Sequence, residues 1–467
     1  MLNAMRPTMT SPRTVLATLT ALAASAALVA AAPAATADKP GGGHCARQSK
    51  IAVPGAEKQK VSCLDDLTTA GTIPSGHSVA ADFAGLHTPG TVNPTGVPGI
   101  QVDGYFPDRS TTNVNNGWNH DSQFVLRIPD NWNGGLVITG APGNRTQYAN
   151  DFVWSDWVLA QGYAFASTDK GNMGLKFYDD GSEPGGSVRE WNSRVTQLTL
   201  AAKRVVKQVR AKSPQHTWMA GLSNGGYLVR WQLENRPDLY DGGLDWEGTL
   251  LRADGPNLLT YLPTALKNYP AYAATASPEA HAAMIGAGFA PGSEFLWPFH
   301  NTVYWDLTQR IYREEFDPTF DGATQAGTPY CASGTPQCDA DYDYASRPAA
   351  VKEAMRSVEL TGRIGKPMIT VHGDMDTLLP IATDSDVYDG LIDDAGAGAS
   401  HRYYRIVDGT HTDALVPAFP DKLRPLLPCA RAGFSALTAW VEDGTAPPAD
   451  ATVPRPTSGD LLNTCTL

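Results

Sequence analysis

The chain has 467 residues, with 36 basic against 48 acidic side chains and a formal charge of −12. That length can bury one large core with an insertion or two separate cores, and that acidity argues against nucleic acid or an anionic membrane surface as a partner. The six cysteines, Cys45, Cys63, Cys331, Cys338, Cys429 and Cys465, form an even set that in an exported chain points to disulfides rather than zinc, since no Cys-x-x-Cys or clustered histidine accompanies them.

Residues 1–37 read as a secretory signal: Arg6 and Arg13, an apolar run from Val15 to Ala31, then Ala35-Thr36-Ala37 before Asp38. Thr18 and Thr20 interrupt the run and small residues and prolines follow it, which disfavours a membrane anchor. The mature protein is expected to be secreted, soluble and free of the membrane after cleavage. Cys45–Cys63, Cys331–Cys338 and Cys429–Cys465 are the simplest disulfide set.

Residues 38–119 are rich in Gly, Pro, Thr and Asn, and an irregular N-terminal extension is expected there. An α/β core is expected over 120–247 and 366–467. It opens with a strand at Asp121–Pro129, followed by Gly134–Gly140, an apolar run suited to a strand buried on both faces. The loop Ala141-Pro142-Gly143-Asn144-Arg145 leaves backbone N–H groups uncovered. A helix near 151–161, a strand at Tyr163–Ser167, the turn Thr168-Asp169-Lys170-Gly171 and an amphipathic helix near 188–211 follow. Strand–helix alternation of this kind predicts a doubly wound, mostly parallel sheet.

The stretch His216–Leu222 then reads as a buried strand running into Gly221-Leu222-Ser223-Asn224-Gly225 and a helix. A serine on a tight strand-to-helix turn sits in a strained backbone conformation, and side chains two residues either side would collide with the neighbouring strand and helix. Gly221 and Gly225 remove those side chains. The helix start also offers the Asn224 N–H to a developing oxyanion, and Ala141 or Gly143 could supply the second donor.

Residues 248–365 depart from the pattern and are expected to form a helical cap inserted after the nucleophile-bearing segment. Their aromatics, among them Tyr261, Phe299, Tyr304 and Trp305, suit either an apolar substrate pocket or the cap's own core. Asp339, Asp341 and Asp343 read as a solvated acidic turn rather than a calcium site.

A serine hydroxyl needs a histidine to take its proton and a carboxylate to orient that histidine. After the next core strand, Met368–Val371, the loop offers Asp374 and Asp376. His401 opens the last expected strand and reads as a cross-strand residue; His411 lies past that strand's end, where a catalytic base belongs.

Gly221-Leu222-Ser223-Asn224-Gly225, His372-Gly373-Asp374-Met375-Asp376-Thr377-Leu378-Leu379-Pro380 and Asp408-Gly409-Thr410-His411 together resemble the α/β-hydrolase superfamily. The resemblance implies that fold, a Ser223–Asp376–His411 triad with Asp374 as a turn residue, and no cofactor or metal. The terminal segment Thr438–Pro447 is similar to the tannase and feruloyl esterase group. That family carries cysteines just before the serine and the histidine, where this chain has Leu222 and Thr410. Ser167-Thr168-Asp169-Lys170-Gly171 and Ser223-Asn224-Gly225-Gly226 resemble 3-hydroxybutyrate oligomer hydrolases. The function implied is a secreted serine esterase acting on small, oligomeric or polymeric esters such as hydroxyalkanoates or aromatic esters. The alternatives are a secreted peptidase on the same fold and a non-catalytic binding protein.

Overall fold

The protein is described by a computed structural model covering residues 51–320, 334 and 338–467. Ten strands form one sheet: β1 (Lys58–Leu64), β2 (Gly99–Tyr105), β3 (Gln123–Pro129), β4 (Gly135–Gly140), β5 (Ala164–Thr168), β6 (His216–Leu222), β7 (Gly242–Trp246), β8 (Met368–Gly373), β9 (His401–Ile406) and β10 (Ala451–Val453). Their order is β1-β2-β3-β5-β4-β6-β7-β8-β9-β10. From β5 to β10 every neighbouring pair is parallel, whereas β1, β2 and β3 alternate in direction at one edge. All the described residues fall in one compact unit, Gly41–Leu467.

Among the described residues the α-helices of five residues or more are α1 (Asp156–Ala160), α2 (Gly186–Arg210), α3 (Asn224–Asn235), α4 (Leu258–Thr275), α5 (Pro278–Gly286), α6 (Trp297–Val303), α7 (Trp305–Phe316), α8 (Ala349–Arg356), α9 (Ser385–Asp394) and α10 (Leu427–Asp443). Side chains alternate across a strand, so adjacent apolar residues on one strand feed opposite layers. Leu136 and Ile138 join Val195, Leu198 and Val205 of α2 and Leu228 of α3 on one face. Val137, between them, packs on the other face with Val158 of α1 and Phe434 and Leu437 of α10. Covering both faces explains why the central strands read as continuous apolar runs rather than alternating ones.

Helices α4 to α8 lie between β7 and β8, in the stretch for which a cap is expected. Leu259, Tyr261, Trp297 and Trp305 are buried in a layer continuous with the α2–α3 side of the sheet. Residues 297–316 form two helices, α6 and α7, divided at Tyr304, whose φ of −113° departs from regular helical geometry.

The segment expected to be irregular before residue 120 instead supplies β1 and β2. The signal was weak because β2 is Gly-Ile-Gln-Val-Asp-Gly-Tyr, in which the polar Gln101 and Asp103 are as buried as the apolar residues between them. Arg127 Nε donates to Gln101 Oε1 at 2.8 Å and the Tyr148 hydroxyl donates to Asp103 Oδ1 at 2.7 Å. Hydrogen-bonded in this way, the polar groups tolerate burial.

Cys429 and Cys465 form a disulfide that ties the C-terminal tail to α10. Cys63 and Cys338 are also disulfide-bonded; Cys45 and Cys331, their expected partners, lie outside the described residues, as does the export signal. Asp339, Asp341 and Asp343 go to separate partners: Arg313 Nε, the Gly334 N–H and the Ala345 N–H.

Candidate active site

Strand order reverses across β4. The chain steps from β4 outward to β5, then crosses back by α2 to β6 on the other side of β4. In a doubly wound sheet that reversal opens a crevice beyond the carboxyl ends of the two strands. The loop after β4 and the turn after β6 meet there.

Ser223 occupies the turn between β6 and α3 with φ 60° and ψ −120°. A non-glycine residue holds such a backbone only when its surroundings enforce it. Here the Ser223 N–H donates to Trp246 O at 2.9 Å, and Ser223 O accepts from the Tyr227 N–H at 2.9 Å. A Cβ on Gly221 would lie 2.1 Å from Gly225 O, and one on Gly225 would lie 2.8 Å from Gly140 O. Both glycines are therefore required by close backbone approach.

Ser223 Oγ is 3.0 Å from His411 Nε2, and Asp376 Oδ2 is 2.7 Å from His411 Nδ1. With Nδ1–H donated to the carboxylate, Nε2 is left to accept the serine proton. Asp376 Oδ1 accepts the N–H groups of Leu378 at 2.7 Å and Leu379 at 3.0 Å. Burial opposes charge on Asp376, but the neighbouring His411 and His372 outweigh it and hold the carboxyl below the usual carboxylate range. Asp374 instead accepts the Asp408 N–H at 2.8 Å, joining the two loops. His401 is a cross-strand residue, with Nε2 2.9 Å from Thr370 Oγ1.

Of the residues considered as oxyanion donors, Ala141 has its N–H already committed to Thr168 O at 3.0 Å. It closes the β4–β5 ladder and is removed from the candidates. Gly143, with φ 49°, and Asn224 both line the pocket beside Ser223. Their loops are tied together, since Asn224 Nδ2 donates to Gly143 O at 3.1 Å. Asn224 Oδ1 accepts from the Tyr312 hydroxyl at 2.6 Å and Thr249 Oγ1 at 3.1 Å.

Two further residues lie at this centre to which sequence reasoning gave no role. Lys170, fully buried and with φ 74°, donates from Nζ to Ala141 O at 2.8 Å and Gly143 O at 2.9 Å, bracing the loop after β4. Burial pushes its ammonium down to about 7, against the pull of Asp169. Glu247, fully buried directly after β7 with φ 49°, places Oε2 3.4 Å from His411 Nδ1. Its Oε1 accepts the Gly373 N–H at 2.7 Å. A charged residue at the carboxyl end of a central strand was the signal for Glu247; Lys170 lay in the Ser167–Gly171 stretch that carries the family resemblance, with no role attached to it.

Glu247, Asp376 and His411 could together offer a cation three atoms within 4.8 Å of one another. Those atoms include the ones that link His411 to Asp376, so a metal held there would compete with the hydrogen-bond chain to Ser223. A pocket of about 290 Å³ opens beside Ser223 and His411. Its walls are mainly apolar, with Leu258, Phe299, Leu307 and Ile311 from the cap facing Leu378 and Leu415 from the core. Thus some cap aromatics, Phe299 and Tyr304, line the pocket, while Trp297 and Trp305 are cap core.

Comparison with known proteins agrees with this architecture. The family described as 3HB-oligomer hydrolase (3HBOH) matches residues 321–465, the part that carries Asp376 and His411. A D-(-)-3-hydroxybutyrate oligomer hydrolase of Polaromonas naphthalenivorans (strain CJ2) is 32% identical over 119 residues. That match spans 24% of this chain and only 16% of the relative's length. Among solved structures, an esterase from Aspergillus oryzae aligns with TM-score 0.50 at 13% identity, covering 86% of this chain and 90% of that one. Tannin acyl hydrolase from Aspergillus niger aligns with TM-score 0.47 at 16% identity, covering 86% and 87%. The protein has the α/β-hydrolase fold.

Proposed function

We propose that this protein is a secreted serine hydrolase that cleaves carboxylic esters through an acyl-enzyme. The reading rests above all on the continuous hydrogen-bonded chain from Asp376 through His411 to Ser223, set beside an apolar pocket at the sheet's switch point. Ser223 Oγ attacks the ester carbonyl while His411 Nε2 takes its proton, and Asp376 stabilises the imidazolium that forms. The carbonyl oxygen becomes an oxyanion facing the N–H groups of Asn224 and Gly143. His411 then returns the proton to the departing alcohol. Water, deprotonated by the same nitrogen, releases the acid and restores Ser223. No step calls for a cofactor.

The partial match to the 3-hydroxybutyrate oligomer hydrolases favours hydroxyalkanoate esters as the substrate class. The described lining residues of the pocket include no Asp or Glu, which favours an ester over the free-amine end of a peptide. The Cys429–Cys465 disulfide fits an oxidising, extracellular compartment. Among the described residues no helix is long and apolar enough to cross a membrane.

Ser223→Ala tests the reading. The variant is expected to lose at least about a thousandfold in turnover of p-nitrophenyl butyrate while keeping its circular dichroism and melting temperature. Retained turnover, or failure of a fluorophosphonate to label Ser223 in the native enzyme, would sink it.

A further inference from the structure

The apolar pocket contains one fixed cation. Arg145, at the end of the loop after β4, is the sole Lys or Arg among the described residues that line it, and no Asp or Glu lines it with Arg145. Its Nη1 donates to two backbone carbonyls, Asp82 O at 3.0 Å and Ala84 O at 2.8 Å, which fix the direction of the guanidinium. Among the described residues the remaining N–H groups have no hydrogen-bond partner, and no carboxylate forms a salt bridge with the group. Asp82 is close enough to be felt electrostatically, but its Oδ2 accepts from Asn115 Nδ2 at 2.9 Å. Tyr304, where the cap helices α6 and α7 divide, is the other polar group felt by Arg145, and it lines the same pocket.

A half-buried guanidinium with no carboxylate in direct contact is costly in a chain that has carboxylates to spare. Its planar fork suits bidentate binding of a carboxylate, which would supply the missing charge when substrate enters. We propose that Arg145 is a carboxylate subsite, selecting esters whose alcohol portion carries a free acid. The inference rests on the ester-hydrolase reading and adds an end preference to it. In a hydroxy-acid oligomer the terminal carboxylate belongs to the leaving alcohol of the last ester bond. Arg145 and Ser223 line the same pocket, so a carboxylate held at Arg145 keeps its ester bond in the cavity that holds the nucleophile. The products are a free hydroxy acid and an oligomer shorter by one unit with a new terminal carboxylate, ready for the next cycle. A neutral ester, or an interior bond of a long polyester, presents no such group.

The test compares the 3-hydroxybutyrate dimer as free acid with its methyl ester, using p-nitrophenyl butyrate as a neutral reference. The native enzyme is expected to favour the free acid by at least about tenfold in kcat/KM, and Arg145→Gln to bring that ratio close to one. Arg145→Lys, which keeps the charge but not the fork, is expected to fall between. Turnover of all three esters with no acid preference overturns the subsite and leaves the ester reading standing. So does an acid preference that survives in a folded Arg145→Gln protein. No turnover of any ester overturns both.

Discussion

Two carboxyl groups face the same edge of one imidazole, and their surroundings divide the work between them. Asp376 accepts two backbone N–H groups and the His411 N–H, each of which favours its ionised form. Glu247 accepts one N–H through Oε1, and its buried Oε2 has no hydrogen-bond partner. Burial, then the charge on Asp376, pushes Glu247 well above the usual carboxylate range, which favours its neutral form. Asp376→Asn is therefore expected to lower kcat by about 10³- to 10⁴-fold, as loss of the orienting charge does in serine hydrolase triads generally. Glu247→Gln keeps the Oε1 acceptor and the neutral state, so it is expected to stay within about threefold of native turnover. Steady-state kinetics on one neutral ester decide. A loss of a hundredfold or more in Glu247→Gln would mean that Glu247 is ionised and shares the orienting role.

At the scale of elements, what was legible in the sequence is what backbone geometry forces on it. Gly221 and Gly225 are required because their absent Cβ atoms would overlap backbone, and β4, β5, β6 and β8 announce themselves because burial on both faces demands apolar runs. The loops were legible only as positions along the chain. Ala141 looked as available as Gly143, and only the β4–β5 register shows its N–H spent on Thr168. Glu247 was readable as a strand-end residue, but its approach to His411 depends on a left-handed backbone that no local pattern announces. Arg145 has meaning only once Tyr304 and the pocket wall are brought to it from distant parts of the chain. The C-terminal tail is another element whose place depends on a distant partner. The Cys429–Cys465 bond closes a separation of 36 residues and ties the tail to α10. Loop-closure entropy for a span of that length is worth roughly 3–4 kcal/mol. The double variant Cys429→Ala, Cys465→Ala is expected to lose about 2–4 kcal/mol in urea unfolding while ester turnover stays near native, because neither sulfur borders the pocket. An unchanged urea midpoint would show that the tail is held by packing alone.

Across the whole molecule, the abundance of acid over base has a consequence for stability, because several carboxyls are buried without enough compensation. Burial pushes Asp156 and Asp169 up to about 7 and Glu315 up to about 8, outweighing the N–H and O–H groups that each accepts. Between the ordinary carboxylate pKa of about 4 and those folded values, the native state binds more protons than the unfolded chain, so stability falls as pH rises. Each tenfold difference in proton affinity between the folded and unfolded states is worth about 1.4 kcal/mol. Even one such group therefore removes a sizeable part of a typical stability of about 5–15 kcal/mol. Lys170, lowered to about 7, works in the opposite sense above that pH, because the unfolded chain then binds the extra proton. The decline should accordingly slow above about pH 7. On the acid side Asp376 reverses the sign: its folded pKa lies below the unfolded one, so its contribution is present above about pH 4 and is lost as pH falls further. The melting temperature is expected to peak in mildly acid solution and to drop by on the order of 5 °C between about pH 5 and pH 7.5. Thermal melts across that range at constant ionic strength check this. A melting temperature that is flat or rising over the same interval would mean that these carboxyls are ionised in the folded protein, stabilised by the donors around them.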